Sequence, residues 1–322
     1  MRVVAIEPLQ LPRDRVYELF HEVVGGGAEL VLYDSKPSSE DELISRVRDA
    51  DIVVTVSHPI SRRVIESAPK LKMIAVSFTG YDHIDLQAAR ERGIVVSNVP
   101  GYATESVAEL VFGFLIAAYR RLLECDRTVR SGGWRTEALF GREARGKVMG
   151  VVGFGSIGRR VAELARCFGM KVIAFDRSPW KSFKKEAAER LGVEFTSLED
   201  LFRRADVVSI HVPLTSETRG MIRLEHLRLL KENAVLINTA RGAVIDEEGL
   251  RRFLEERKDV TICLDVYWQE PPVGREWLFK AENVILTPHV GFYTREAIEY
   301  RVRVTMENIK AYMEGKPKNV VS

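Results

Sequence analysis

The chain has 322 residues, 46% of them hydrophobic and 29% charged, with a net charge of +2. Such a chain can bury the cores of two ordinary domains, and charges of both signs mixed along its length leave no basic stripe for nucleic acid. The longest apolar stretch, SVAELVFGFLIAAY, carries Glu109 and falls short of the roughly 20 residues a membrane span needs; Cys125, Cys167 and Cys263 lie far apart, which predicts neither a disulfide framework nor a metal site.

The first residues, MRVVAIEP, enter a β-branched run at once, without the charged leader and apolar segment of a secretion signal, so the protein is expected in the cytoplasm. Strand-like runs follow in order: VVAI (3–6), DIVVTV (51–56), KMIAV (72–76) and GIVVSN (93–98). A helical stretch over 102–123 breaks the rhythm, and the polar, glycine-bearing segment 130–147 reads as an extended connection. The strands resume with KVMGVV (147–152), KVIAF (171–175), DVVSIHV (206–212), AVLINT (234–239), VTICLDV (260–266) and NVILT (283–287). The tail, 294–315, reads as a final helix capped by Thr294. Near-continuous apolar strands alternating with helices predict parallel sheets covered on both faces, and the interruption predicts two α/β domains.

The hexad GFGSIG (153–158) has the form G-x-G-x-x-G, which is weak evidence of a site by itself. Its context is stronger. It follows the strand VMGVV and opens a helix with Val161, Leu164, Ala165 and Phe168 on one face, and the next strand ends at Asp176, eighteen residues past Gly158. In such a βαβ unit Gly153 allows the tight turn, Gly155 lets backbone approach a pyrophosphate, and Gly158 lets the helix pack on the strand. The helix N-terminus offers free amides and partial positive charge to the phosphates. Asp176 would accept from the adenosine ribose hydroxyls and repel a 2′-phosphate, so NAD is expected over NADP.

Ligands of open α/β sheets bind at the carboxyl ends of the strands. The polar residues there are His211, the run Asn238 to Arg241, Asp265 and His289, and together they predict one crevice. Glu270 stands nineteen residues before His289, in the rigid context DVYWQEPP. A carboxylate beside an imidazole fixes its ring and favours its protonated form, which makes an acid competent at neutral pH. A carbonyl carbon that receives hydride develops alkoxide charge on its oxygen, which calls for a proton donor and a cation. His289 and Arg241 suit these roles, and Arg241 can also fork onto a carboxylate. The substrate that uses both is a 2-oxo acid.

These residues carry a resemblance to the D-isomer-specific 2-hydroxyacid dehydrogenase family. The matching stretches are FTGYDHIDL (78–86), NVPGYATESVAEL (98–110), GFGSIG with Asp176, HVPLT (211–215), NTARG (238–242), LDVYWQEPP (264–272) and TPHVG (287–291), in the family's order across nearly the whole chain. The resemblance implies two Rossmann-like or flavodoxin-like domains with parallel sheets, the NAD-binding domain at 99–289 being inserted into a substrate (catalytic) domain formed by 1–98 and 290–322. It implies a catalytic set in which His289 donates the proton, Glu270 is its partner and Arg241 anchors the substrate, with the backbone amides of Thr79 and Gly80 in the other domain holding the substrate carboxylate. It implies cofactor contacts at Thr104, Phe154, Gly155, Ser156, Ile157, Asp176, His211, Thr218, Thr239, Ala240, Asp265 and Gly291, with Asp265 orienting the nicotinamide carboxamide. A homodimer built largely through the segment around 130–147 is expected as well.

Within the family, Glu270 sets the chain apart from formate dehydrogenase, which carries an amide there. The GYATESVAEL run is most similar to glyoxylate and hydroxypyruvate reductases and glycerate dehydrogenases, with D-lactate dehydrogenase close behind. The expected activity is NAD-dependent interconversion of small 2-oxo acids and D-2-hydroxy acids. Two alternatives remain: a phosphoglycerate or phosphite dehydrogenase, whose more highly charged substrate would draw on further cations such as Arg295 and Arg301, and an NAD-sensing, corepressor-like binding protein. Phe78 departs from the small polar residue usual in the substrate loop and is expected to narrow the pocket.

Overall fold

Strands that are apolar along their whole length cannot leave a face in water, so they pair in parallel with helices on both sides. The computed structural model, which describes residues 1–322, has that arrangement twice. The chain begins with β1 (Arg2–Ala5), α1 (Arg13–Val23), β2 (Glu29–Leu32), α2 (Glu40–Val47), β3 (Ile52–Thr55), α3 (Arg62–Glu66), β4 (Met73–Val76), α4 (Leu86–Glu91) and β5 (Val95–Ser97). It continues with α5 (Thr104–Arg120), α6 (Leu122–Arg130), β6 (Val148–Val152), α7 (Ser156–Cys167), β7 (Lys171–Phe175), α8 (Ser182–Leu191), β8 (Glu194–Phe195), α9 (Leu198–Arg204) and β9 (Val207–Ile210). The remaining elements are α10 (Leu224–Leu227), β10 (Val235–Asn238), α11 (Glu247–Glu256), β11 (Thr261–Leu264), α12 (Glu276–Phe279), β12 (Val284–Leu286) and α13 (Arg295–Met313).

Packing divides the chain into two units: Met1–Tyr102 with Thr294–Ser322, and Ala103–Tyr293. In the first, five parallel strands run in the order β2-β1-β3-β4-β5. Alternate residues point to opposite faces. Val4, Val53, Ile74 and Val96 meet Leu43, Val47, Ile65 and Ala89 of α2, α3 and α4 on one side, while Val3, Ile52 and Met73 meet Val16, Leu19 and Phe20 of α1 and Val302, Met306 and Ile309 of α13 on the other. Helix α13 starts where Thr294 Oγ1 accepts from Ala297 N at 3.2 Å. Each large apolar side chain so buried stabilises by roughly 1.5–3 kcal/mol, which ties the last helix to strands laid down at the start of the chain.

In the second unit seven parallel strands run β12-β11-β10-β9-β6-β7-β8. Helices α5 and α7 cover one face through Val111, Leu115, Val161 and Ala165, and α9 and α11 cover the other through Leu201, Phe202, Leu250 and Phe253. Strand β6 lies between β7 and β9, so the chain leaves β6 to one side and later returns on the other. That is a topological switch point, and the crevice outside the carboxyl ends of β6 and β9 is where such sheets take ligands. No helix is long and apolar enough to cross a membrane.

The structure departs from the sequence reading locally. Twelve strands are present instead of ten; β2 (ELVL) and the two-residue β8 are short edge strands whose runs are too brief to register. The helix expected over 102–123 ends at Arg120, because Arg121 takes a left-handed conformation (φ 50°), and α6 starts afresh beyond it. Phe168, expected on the buried face of α7, instead follows the helix end, 40% exposed, and stacks on Phe112 at 4.8 Å.

Candidate active site

The hexad occupies the turn from β6 into α7. A Cβ on Gly158 would sit 2.0 Å from the carbonyl oxygen of Gly153, so helix and turn can approach this closely only without a side chain. Nothing lies within 4 Å of a Cβ built on Gly155. The space over Gly155, at the first turn of α7, is open to a phosphate, while Ser156 and Ile157 form that turn. Phe154 is fully buried, edge-on to Phe195 at 5.3 Å, and its amide donates to Asp176 Oδ2 at 2.8 Å.

Asp176, just past β7, also accepts from Ser178 N at 2.8 Å and from Lys184 Nζ at 2.6 Å. Burial opposes its charge, but these donors outweigh it and hold its carboxyl below the ordinary value. Next to it, Arg177 pairs with Glu217.

At the carboxyl end of β9, His211 shares a hydrogen bond with Ser209 Oγ through Nε2 at 2.8 Å, and burial pushes its pKa down to about 3, so its ring is neutral. Thr218 folds the following loop back, donating to Pro213 O at 2.6 Å. Thr104 opens α5. After β10, Asn238 receives the amide of Ala240 on Oδ1 at 3.0 Å and donates from Nδ2 to Arg241 O at 2.9 Å, which pins the three-residue run that presents Arg241. Thr239 Oγ1 is buried with no hydrogen-bond partner. An unsatisfied buried hydroxyl at this strand end, together with the open space over Gly155, fits a ligand with polar groups such as a dinucleotide.

Asp265, 1% exposed after β11, accepts from Thr287 Oγ1 at 2.6 Å, from Val290 N at 2.7 Å and from Gly291 N at 2.8 Å. It therefore clamps the loop that carries His289. Burial dominates its ionisation and raises its pKa despite these bonds.

His289 has a positive φ of 55°, unusual for a residue with a side chain. Its Nδ1 meets Glu270 Oε2 at 2.6 Å, and the other carboxylate oxygen accepts from Tyr267 N at 3.1 Å. Burial raises the Glu270 pKa, but the bond to His289, its charge, the Tyr267 amide and the charge of Arg241 outweigh this and lower it overall. Glu270 is a carboxylate at neutral pH. An imidazole held through Nδ1 by a carboxylate turns Nε2 outward, where a proton can be handed to a substrate. Arg241 stands near enough for its charge to act on Glu270, and one guanidinium nitrogen donates to Ala240 O at 2.8 Å. The close approach depends on Gly242, where a Cβ would lie 2.1 Å from the carbonyl carbon of Tyr267 and 2.5 Å from Trp268 N.

In the other unit, Thr79 Oγ1 donates to Val99 O at 2.9 Å and Thr79 O accepts from Asn98 Nδ2 at 2.7 Å, fixing the loop that bears Gly80. Phe78 packs on Tyr102 at 5.8 Å. Arg301 is fully buried and donates to Leu9 O and Gln10 Oε1, so it is engaged in supporting the loop after β1.

The structure thus gathers Arg241, Glu270 and His289 at one sheet edge, and the hexad with Asp176 at the turn beside the switch point. Sequence reasoning missed the supports: Lys184 on Asp176, Thr287 on Asp265 and Gly242 under Arg241. A basic residue in the first turn of α8, the helix that follows β7, was the available signal for Lys184, but nothing in a sequence says where its side chain points.

Residues 112–291 match the family profile of D-isomer specific 2-hydroxyacid dehydrogenases, NAD binding domain. The glyoxylate reductase of Thermococcus litoralis is 40% identical over 324 aligned positions, covering 97% of this chain and 95% of its own. Among solved structures, the TT0316 protein of Thermus thermophilus superposes with a TM-score of 0.88 at 37% identity over the whole of both chains. The D-lactate dehydrogenase of Aquifex aeolicus, solved with NAD and lactic acid, gives 0.82 at 30% identity over 98% of this chain and 96% of its own. A profile covering more than half the chain and a relative this similar along nearly all of it agree: the chain belongs to the D-isomer-specific 2-hydroxyacid dehydrogenase family.

Proposed function

We propose that this NAD-dependent oxidoreductase reduces small 2-oxo acids, glyoxylate and hydroxypyruvate foremost and pyruvate next, to D-2-hydroxy acids, and runs the reverse reaction on those acids. The observation that carries the reading is the 2.6 Å pair of His289 Nδ1 and Glu270 Oε2 within the field of Arg241. NAD, when bound, supplies the hydride chemistry. Residues Phe154, Gly155, Ser156 and Ile157 would cradle its pyrophosphate, Asp176 its adenosine ribose, and His211, Thr218, Thr239, Ala240, Asp265, Gly291 and Thr104 the remainder.

Arg241 binds the substrate carboxylate and draws charge onto the carbonyl oxygen. His289, protonated and oriented by Glu270, donates its Nε2 proton to that oxygen as alkoxide charge develops. Such general acid catalysis contributes typically 10²–10⁴-fold. Glu270 keeps the resulting neutral imidazole in position to be reprotonated. Residues 1–98 and 290–322 are read as the substrate domain and 99–289 as the NAD-binding domain.

A homodimer is part of the proposal. Trp134 and Phe140 are 74% and 80% exposed, and Leu122, Leu123 and Val129 are exposed nearby, a concentration of apolar surface that water disfavours. A cytoplasmic location accords with three free thiols. The test is a panel of 2-oxo acids, phosphohydroxypyruvate included, assayed with NADH. Glyoxylate or hydroxypyruvate as the preferred substrate is expected; cofactor binding without turnover on any member would refute the reading.

A further inference from the structure

We propose that Lys184 is a specificity-determining residue of the adenosine-ribose pocket, and that with it the enzyme accepts NADPH as well as NADH. The inference rests on the reading of Asp176 as the ribose ligand. An ionised carboxylate offers about four lone-pair positions. Here Oδ2 receives Phe154 N, while Oδ1 receives Ser178 N, Ser178 Oγ at 3.3 Å and Lys184 Nζ at 2.6 Å. One position on Oδ2 is left for a ribose hydroxyl. Two hydroxyls cannot both be held by this carboxylate with these donors in place.

The ammonium is itself a built part of the pocket. Lys184 is 9% exposed, at the first turn of α8, and its Nζ also donates to Ser178 Oγ at 3.1 Å. It has three donors, of which these two bonds use two, so one remains for a ribose oxygen or a phosphate. A ribose hydroxyl bound to Asp176 Oδ2 lies within about 7 Å of Nζ on Oδ1, two hydrogen-bond lengths and the gap between the two carboxylate oxygens.

Charge decides the selectivity. A lone aspartate at this strand end repels a 2′-phosphate. With Lys184 on Asp176, and Arg177 beside it paired to Glu217, the corner carries two cations against two carboxylates. The net charge facing a 2′-phosphate is close to zero, and Lys184 can exchange its bond to Ser178 for one to the phosphate. Arg177 is 79% exposed on its side chain and can follow.

The test measures dissociation constants of NADH and NADPH by fluorescence titration without substrate, for the wild type, Lys184→Gln, Lys184→Arg and Asp176→Asn. The wild type is expected to bind both. Lys184→Gln should raise the ratio of the NADPH to the NADH constant at least about tenfold, because a cation within about 7 Å of a phosphate is removed, and Lys184→Arg should restore it. Asp176→Asn, which leaves the cation unopposed, should invert the preference toward NADPH and serves as the second reading if Lys184→Gln does not fold. A ratio unchanged by Lys184→Gln, or an Asp176→Asn protein that still prefers NADH, overturns the proposal. Failure of the wild type to bind either nucleotide overturns it together with the dinucleotide reading, and so separates the two failures.

Discussion

Substituting alanine at Gly242 asks whether the approach of two backbones is what sets the catalytic geometry. The added Cβ would stand 2.1 Å from the carbonyl carbon of Tyr267, 2.4 Å from its oxygen and 2.5 Å from Trp268 N, all main-chain atoms that no rotamer change can move aside. Carbon atoms rest about 3.5–4.0 Å apart, so the run carrying Arg241 and the segment leading to Glu270 must separate by more than about 1 Å. The strain of such overpacking is about 1–3 kcal/mol, a fall in Tm of several degrees for a protein of this size. The displacement should matter more than the strain: moving a catalytic group by about 1 Å can cost on the order of 10²-fold in rate. The assay is kcat/KM for glyoxylate with NADH, alongside NADH titration and thermal unfolding. We expect Gly242→Ala to fold, to bind NADH, and to lose about 10²-fold in kcat/KM. A variant with an unchanged Tm and a rate within a few-fold of wild type would refute the argument.

Gly155→Ala makes the contrasting case, since nothing lies within 4 Å of the new Cβ: the Tm should stay within about a degree while NADH affinity falls by about tenfold or more, because the methyl group fills the space over the helix terminus. The pH dependence follows from Glu270. Its folded-state pKa is lowered from 4.5, so the bond to His289 is fully present above that value and is lost as the pH falls through the lower one. Reduction should therefore show no acid limb from this group between pH 5 and neutrality; an acid limb in that range that disappears in Glu270→Gln would contradict this.

The parts of the fold that recur as long apolar runs were readable in the sequence, because a strand buried on both faces needs them. β2 and β8 escaped because edge strands need only a few residues, and ELVL or EF looks like any loop. The break at Arg121 escaped because a left-handed residue without glycine is a tertiary demand on an otherwise helical run. At the site, Arg241, Glu270 and His289 stood out as polar residues at strand ends, and their spacing anticipated the pairing of Glu270 with His289. What holds them in place was not readable. Asp265 looked like a ligand residue, and the structure has its three hydrogen bonds clamping the His289 loop. Gly242 looked like part of a turn, and its role is contact with a segment twenty-five residues away. Lys184 was one basic residue among several on a helix. Each depends on distances between segments remote in sequence, which periodicity does not encode.

The central role in the reaction is that of His289 as the proton donor. The most direct measurement is single-turnover reduction of glyoxylate by a preformed NADH complex of wild type and of His289→Ala. His289→Ala should bind NADH with an affinity close to wild type and transfer hydride at least about 10²-fold more slowly; transfer at the wild-type rate would contradict that role.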